Sequence, residues 1–183
     1  AGRSQLKGVL RDQRVIAGVR SPADEARLPA GAEVRPFDFG AASGDVEQAL
    51  ADADRLFLMR PPAIADVRAF LLPVVDAARR VGVRHVVFLS LQGVAFNRRT
   101  PHHAVEAYLR DSAVPWTFLR PNFFMQNLST TYAEDIRDHD EIRVPAGRSR
   151  TAFVDARDVG RVAATVLTRP GHAGKAYTLS GEQ

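Results

Sequence analysis

The stretch Val86-Val87-Phe88-Leu89-Ser90 decides the fold. It rises through β-branched and aromatic residues and stops at a polar corner. Four other stretches do the same: Val15-Ile16-Ala17-Gly18-Val19 before Arg20, Val34-Arg35-Pro36-Phe37 before Asp38, Leu56-Phe57-Leu58-Met59 before Arg60-Pro61-Pro62, and Trp116-Thr117-Phe118-Leu119 before Arg120-Pro121-Asn122. Short apolar runs alternating with helical segments predict a parallel sheet covered on both faces. In such a doubly wound α/β sheet, ligands sit outside the carboxyl ends of the strands, so function is expected along the rim these corners share.

Working outward, the intervening segments read as helices. Residues 63–81 place Ile64, Val67, Phe70, Leu71, Val74, Val75, Ala78 and Val81 at helical spacing, with a kink expected at Pro73 and a stop at Gly82. Thr100-Pro101 is a helix start, a capping hydroxyl followed by proline, with Val105, Tyr108 and Leu109 on the buried side. Asp155 and Asp158 open a helix through Val166 that ends at Pro170-Gly171, before a last strand at Tyr177-Thr178-Leu179. Weaker patterns predict helices over 3–10, 23–28, 45–52 and 128–137 and a short strand at Ile142-Arg143-Val144. The alternation begins with a helix, whereas a doubly wound sheet begins with a central strand. Residues 1–183 are therefore expected to be one domain, incomplete at both ends, without its first strand or a C-terminal substrate-covering portion.

Composition narrows the function classes. A chain of 183 residues, 45% hydrophobic and 25% charged, can bury a core, and no run approaches the roughly 18 apolar residues of a membrane helix. The absence of cysteine excludes disulfides, thiolate nucleophiles and Cys-ligated zinc, and no metal site is expected. The net charge of +4 comes from arginines spread along the chain and interleaved with acids, which reads as a solvated surface rather than a nucleic-acid stripe. A cytoplasmic protein acting on a small molecule is expected, without a membrane or nucleic-acid partner; a homodimer is compatible with the sequence.

Val-Arg-His-Val-Val-Phe-Leu-Ser at 83–90, Pro-His-His-Ala-Val-Glu-Ala-Tyr-Leu at 101–109, and Pro-Trp-Thr-Phe-Leu-Arg-Pro-Asn-Phe-Phe-Met-Gln-Asn at 115–127 carry a resemblance. With Phe153-Val154-Asp155-Ala156-Arg157-Asp158-Val159 and 171–179, they resemble the NmrA-like family of atypical short-chain dehydrogenase/reductases across essentially the whole chain. The resemblance implies a Rossmann-type sheet that binds NAD(P)(H). It implies either a reductase of quinones, azo dyes or triphenylmethane dyes, or a regulator that binds the dinucleotide without turnover. The family's glycine-rich turn has no counterpart here except Gly2, which fits its last glycine. By the same resemblance Asp38-Phe39 lies beside the adenine, and Met59-Arg60-Pro61, Ser90-Leu91 and Pro121-Asn122-Phe123 line the path to the nicotinamide.

Arg20 stands where NAD-preferring folds place an acid for the ribose 2′-hydroxyl; an arginine there pairs a 2′-phosphate, which favours NADP(H) over NAD(H). Such a contact is worth about 1.5–3 kcal/mol, roughly 10- to 150-fold. The alternative is a solvated arginine. Typical short-chain dehydrogenases use Tyr-x-x-x-Lys, and this chain has no such pair; its lysines are Lys7 and Lys175. At the corresponding place stands His102-x-x-x-Glu106, two residues on one helical face. His102 then either donates a proton or orients the acceptor, or it simply packs beside the cofactor. Without a dedicated acid, acceptors that delocalise the arriving charge are favoured. The leading expectation is hydride transfer from NADPH to a conjugated acceptor near Phe123, Phe124 and Asn127. The alternative is an NAD(P)-sensing regulator with a protein partner.

Overall fold

The computed structural model describes residues 13–26, 28, 31–142, 144, 147 and 151–181. Strands β1 (Ile16–Val19) and β2 (Glu33–Pro36) pair in parallel. A second sheet holds β3 (Arg55–Met59), β4 (His85–Leu89), β5 (Trp116–Pro121) and β6 (Lys175–Leu179), in that order and all parallel. The helices are α1 (Pro22–Glu25), α2 (Ser43–Leu50), α3 (Val67–Phe70), α4 (Leu72–Arg80), α5 (Pro101–Asp111), α6 (Ala133–His139) and α7 (Ala156–Thr168).

Alternation along the strands sends side chains to opposite faces. Leu58, Val86, Phe88 and Phe118 pack with Val46 and Leu50 of α2, Val74, Val75 and Ala78 of α4, and Val105 and Leu109 of α5. On the other face Val87 and Leu119 pack with Ala163 and Val166 of α7. This is the doubly wound arrangement the alternating sequence predicts, with a larger core on one side.

β1 and β3 are not paired to each other. Between them lies a slot of about 460 Å³, lined by Val15, Ile16 and Gly18 on one side and Leu56, Phe57 and Met59 on the other. No described strand occupies it, and it stands where the doubly wound order places its first strand. No helix is long and apolar enough to cross a membrane among the described residues.

Several boundaries move for physical reasons. Pro73 does more than kink its helix: α3 ends at Phe70 and α4 restarts at Leu72, with Pro73 in its first turn, where a missing N–H costs nothing. Gly82 closes α4 with φ +81°, a left-handed conformation that glycine adopts freely. β5 runs two residues past its predicted end, because Arg120 and Pro121 stand opposite Thr178 and Leu179 of β6. The helix expected over 128–137 starts later, at Ala133, and residues Met125–Ser129 form a 3-10 turn instead. The weak helix at 23–28 shortens to α1. In the predicted strand at 142–144, Ile142 and Val144 are exposed and in no regular element, while Arg143 lies outside the described residues. The helix at 3–10 and Gly2 also lie outside the described residues.

Candidate functional site

The corners fall into two groups. The first surrounds a cavity of about 630 Å³ beside the carboxyl ends of β1 and β2, lined by Arg20, Arg35, Phe37, Asp38, Asp45 and Ala49 among others. Gly18, on the neighbouring slot, makes room for Phe37 of this wall: a Cβ there would come within 2.8 Å of the Phe37 side chain. Phe37 meets Phe39 edge to face at 4.9 Å, which leaves Asp38 exposed between them. One Asp38 oxygen accepts from the Gly40 N–H at 2.7 Å and so holds the turn.

The two arginines of this cavity differ. Arg35 is committed, donating to Glu33 at 2.8 Å and to the carbonyls of Ala49 and Ala51 at the end of α2. Arg20 is exposed and makes no hydrogen bond or ion pair among the described residues. Phe39, Met59 and Pro61 line the neighbouring slot rather than this cavity.

The second group lies at the ends of β3, β4 and β5. Arg60 wraps its own corner: Nη1 donates to the carbonyls of Pro61 and Pro62 at 3.1 Å and of Ile64 at 2.5 Å. Its Nε is buried without a partner among the described residues. The corners after β4 and β5 are stitched by backbone bonds, Ser90 N to Leu119 O at 2.7 Å and Gln92 N to Pro121 O at 2.9 Å. Leu91 is half-buried between them. Asn122 donates its N–H to Leu179 O, and its side-chain oxygen accepts from Phe123 N.

Phe123 is 46% exposed and its ring meets Phe153 at 6.4 Å. Phe124 bridges to Val154, and Asn127 is half-buried with its backbone carbonyl accepting from Tyr132. Gln126 latches this loop to the start of α7, donating to Asp155 and accepting from the Ala156 N–H.

Thr100 caps α5 by accepting from His103 N, which sets His102 in the first turn. The His102 ring packs near Phe88, centroids 6.0 Å apart. Burial, with the Arg60 charge adding to it, pushes the imidazole down to about 4 despite an opposing pull from Glu106. His102 is thus neutral near pH 7.

No hydrogen bond or ion pair joins it to Glu106. That carboxylate is 1% exposed and takes two bonds from Arg120, at 2.9 and 2.6 Å, and one from Arg110 at 2.7 Å. Burial alone would raise its pKa. The Arg120 hydrogen bonds, Ser90 and the two guanidinium charges outweigh that and hold it below the usual carboxylate range. Ser90 Oγ, buried as well, faces this carboxylate without completing a hydrogen bond in full geometry.

The structure therefore gathers Arg20 and Asp38 at one cavity, and Ser90, Glu106, Pro121 and Asn122 at another junction with His102 one helical turn away. Sequence reading missed the partners of Glu106. The four-residue step to Arg110 was a usable signal. Nothing local pointed to Arg120. The Gln126 latch and the Phe123–Phe153 contact were equally silent.

Among the described residues, an unpaired Arg20 guanidinium over a cavity and a buried Arg60 Nε without a partner fit a phosphorylated dinucleotide. The comparisons with known proteins agree. Residues 1–170 match the family model described as NAD(P)H-binding. The chain is 35% identical over 159 residues to the NAD(P)H azoreductase of Xenophilus azovorans, covering 78% of this chain and 52% of that protein. It is 39% identical over 147 residues to the (4-alkanoyl-5-oxo-2,5-dihydrofuran-3-yl)methyl phosphate reductase of Streptomyces griseus, covering 75% and 49%. The chain spans about half the length of these curated relatives. Among solved structures, the NADPH-dependent quinone oxidoreductase of Escherichia coli complexed with NADPH superimposes with a TM-score of 0.82 at 26% identity, over 100% of this chain and 68% of that one. The Citrobacter sp. triphenylmethane reductase complexed with NADP(H) gives 0.78 at 26% identity, over 98% and 68%. The chain belongs to the NAD(P)H-binding family.

Proposed function

We propose that this chain is the cofactor-binding part of an NADPH-dependent oxidoreductase that transfers hydride to a conjugated acceptor such as a quinone or azo compound. The observation that carries the reading is the pairing of an uncommitted Arg20 at the nucleotide cavity with an uncharged His102 beside the Ser90–Pro121 junction. Bound NADPH supplies the hydride. Arg20 takes the 2′-phosphate, Asp38 and Phe39 flank the adenine, and Met59, Arg60, Pro61, Ser90 and Leu91 line the path to Pro121, Asn122 and Phe123. The named activities of the relatives, against azo, quinone and triphenylmethane compounds, support a flat conjugated acceptor.

His102 then works as a neutral hydrogen-bond donor. An imidazole that stays uncharged near pH 7 can polarise an acceptor oxygen or nitrogen as the negative charge arrives, while water supplies the proton that completes reduction. Phe123, Phe124 and Asn127 form the acceptor's wall. Glu106 holds structure rather than protons, since three guanidinium bonds already occupy its oxygens. A cytoplasmic location fits this cofactor use.

The test is NADPH and NADH oxidation by the full-length protein against a panel of quinones and azo compounds. Turnover with NADPH preferred is expected. Binding of NADPH with no turnover of any acceptor would overturn the reductase reading and leave a dinucleotide-sensing regulator.

A further inference from the structure

We infer that Arg120 is a positioning residue for His102: it draws the Glu106 carboxylate inward, toward the ends of β4 and β5, so that the imidazole faces the acceptor without an acidic partner. The inference rests on the reading that His102 meets the acceptor. It concerns a residue whose side-chain partners are Glu106 and Phe118.

Helical spacing alone predicts a different arrangement. A carboxylate four residues after a histidine lies on the same face and normally reaches it. Here it turns the other way. Arg120 engages both Glu106 oxygens with Nε and Nη2, the two-pronged geometry that only a guanidinium provides.

Arg110 adds one bond, but its side chain is 39% exposed and hangs from the same helix. Arg120 is 17% exposed and belongs to β5, which the ladders to β4 and β6 hold on both sides. The planar ends of both arginines lie over Phe118, at 4.9 Å for Arg110 and 6.0 Å for Arg120, which further limits their movement. The anchor that fixes Glu106 is therefore Arg120.

The groups that bear on the imidazole are few. Arg60 from the corner after β3 and Glu106 from its own helix are the charges that act on it, and Phe88 of β4 packs against the ring. α3, which packs along α5, carries Arg68, which is exposed. With Arg120 removed, Glu106 keeps Arg110, 39% exposed, as its one guanidinium partner beside the Ser90 hydroxyl. A buried carboxylate short of positive charge then draws a proton to the nearest basic group, His102.

The experiment is a proton-NMR titration of His102 in the full-length protein, with kcat measured across the same pH range. In the parent protein the His102 signal stays that of a neutral ring down to about pH 5, and kcat shows no histidine inflection. Arg120→Met is expected to raise the proton affinity of His102 at least about tenfold, one pH unit, and to give kcat a matching inflection. Adding Glu106→Gln to that variant should abolish the shift, a result that loss of packing alone does not produce. Arg120→Lys keeps the charge without the fork, so it should give a smaller shift and remain testable if Arg120→Met does not fold. An unchanged His102 titration in folded Arg120→Met, or in Arg120→Lys if the former is unfolded, overturns the inference. So does a shift that persists after Glu106→Gln. Because the titration needs no turnover, an inactive protein with the expected shift would sink the reductase reading and leave only the Arg120–Glu106 control of His102 protonation standing.

Discussion

The β1–β2 region and the β4–α5–β5 region meet their polar groups in opposite ways. Around β1 and β2 the corner residues are exposed, the cavity is open, and Arg20 has no partner among the described residues. Around β4 and β5 nearly every charge is already answered from within: Glu106 by two arginines, and the corners by backbone bonds to the neighbouring strand. An open site with an uncommitted cation gains its order from a ligand. A closed junction whose charges are largely paired, with Arg60 Nε and Ser90 Oγ left without a full hydrogen bond among the described residues, holds most of its geometry before any ligand arrives.

The contrast breaks most visibly under truncation of one aromatic in each region. Phe118 is fully buried, stacks on Trp116 at 4.1 Å and meets Phe88 edge-on, so Phe118→Ala is expected to cost about 3–5 kcal/mol. Phe37 is only partly buried at the edge of the core, and Phe37→Ala should cost roughly 1–2 kcal/mol. Chemical denaturation of both variants checks this; equal losses would erase the distinction. The next largest effect belongs to the open region. Arg20→Ala should weaken NADPH binding roughly 10- to 150-fold and leave NADH binding unchanged, with stability altered by less than about 0.5 kcal/mol. Calorimetric titration with each cofactor decides it.

The two regions also differed in how far the sequence revealed them. β3 and β4 could be read to within a residue, because an apolar run bounded by Arg60-Pro61 or Ser90 has few other solutions. The place of Arg20, just past the end of β1 and on the lining of a cavity, was legible from the strand pattern. The extension of β5 through Pro121 was not legible, since proline ordinarily ends a strand; here its carbonyl still bonds on the β4 side, accepting from Gln92 N. The Glu106–Arg120 pair was hidden for another reason. It joins a helix to a strand 14 positions later, and in a chain this rich in arginine no single one announces its partner.

Acid separates the regions as well. His102 is held to about 4 against an ordinary value of 6.5, so between those values the unfolded chain binds a proton that the folded chain refuses. The stability this withholds is fully present above about pH 6.5 and is lost as the pH falls toward 4. After allowance for partial exposure the loss should amount to roughly 1–2 kcal/mol. Replacing the ring by His102→Asn should flatten that part of the stability profile in denaturation curves measured across pH. A slope unchanged by the substitution would place the acid sensitivity elsewhere.

The smallest effect sharpens the boundary of the closed region. The loop after β5 is tied to α7 by Gln126, which donates to Asp155 at 2.8 Å and accepts from Ala156 N at 2.9 Å. Asp155 is a good acceptor because Arg157, through side-chain and backbone bonds, holds its carboxyl far below the usual range. Gln126→Ala removes both ties and should cost about 1 kcal/mol, equivalent to roughly fivefold in KM for the acceptor, because Phe123 and Phe124 sit at the near end of the same loop. The KM for NADPH should rise by less, since Arg20 and Asp38 line a cavity separate from the Phe123 end of the cofactor path. If both constants rise equally, the latch supports the whole rim, and the division between an open nucleotide side and a preformed acceptor side has been drawn in the wrong place.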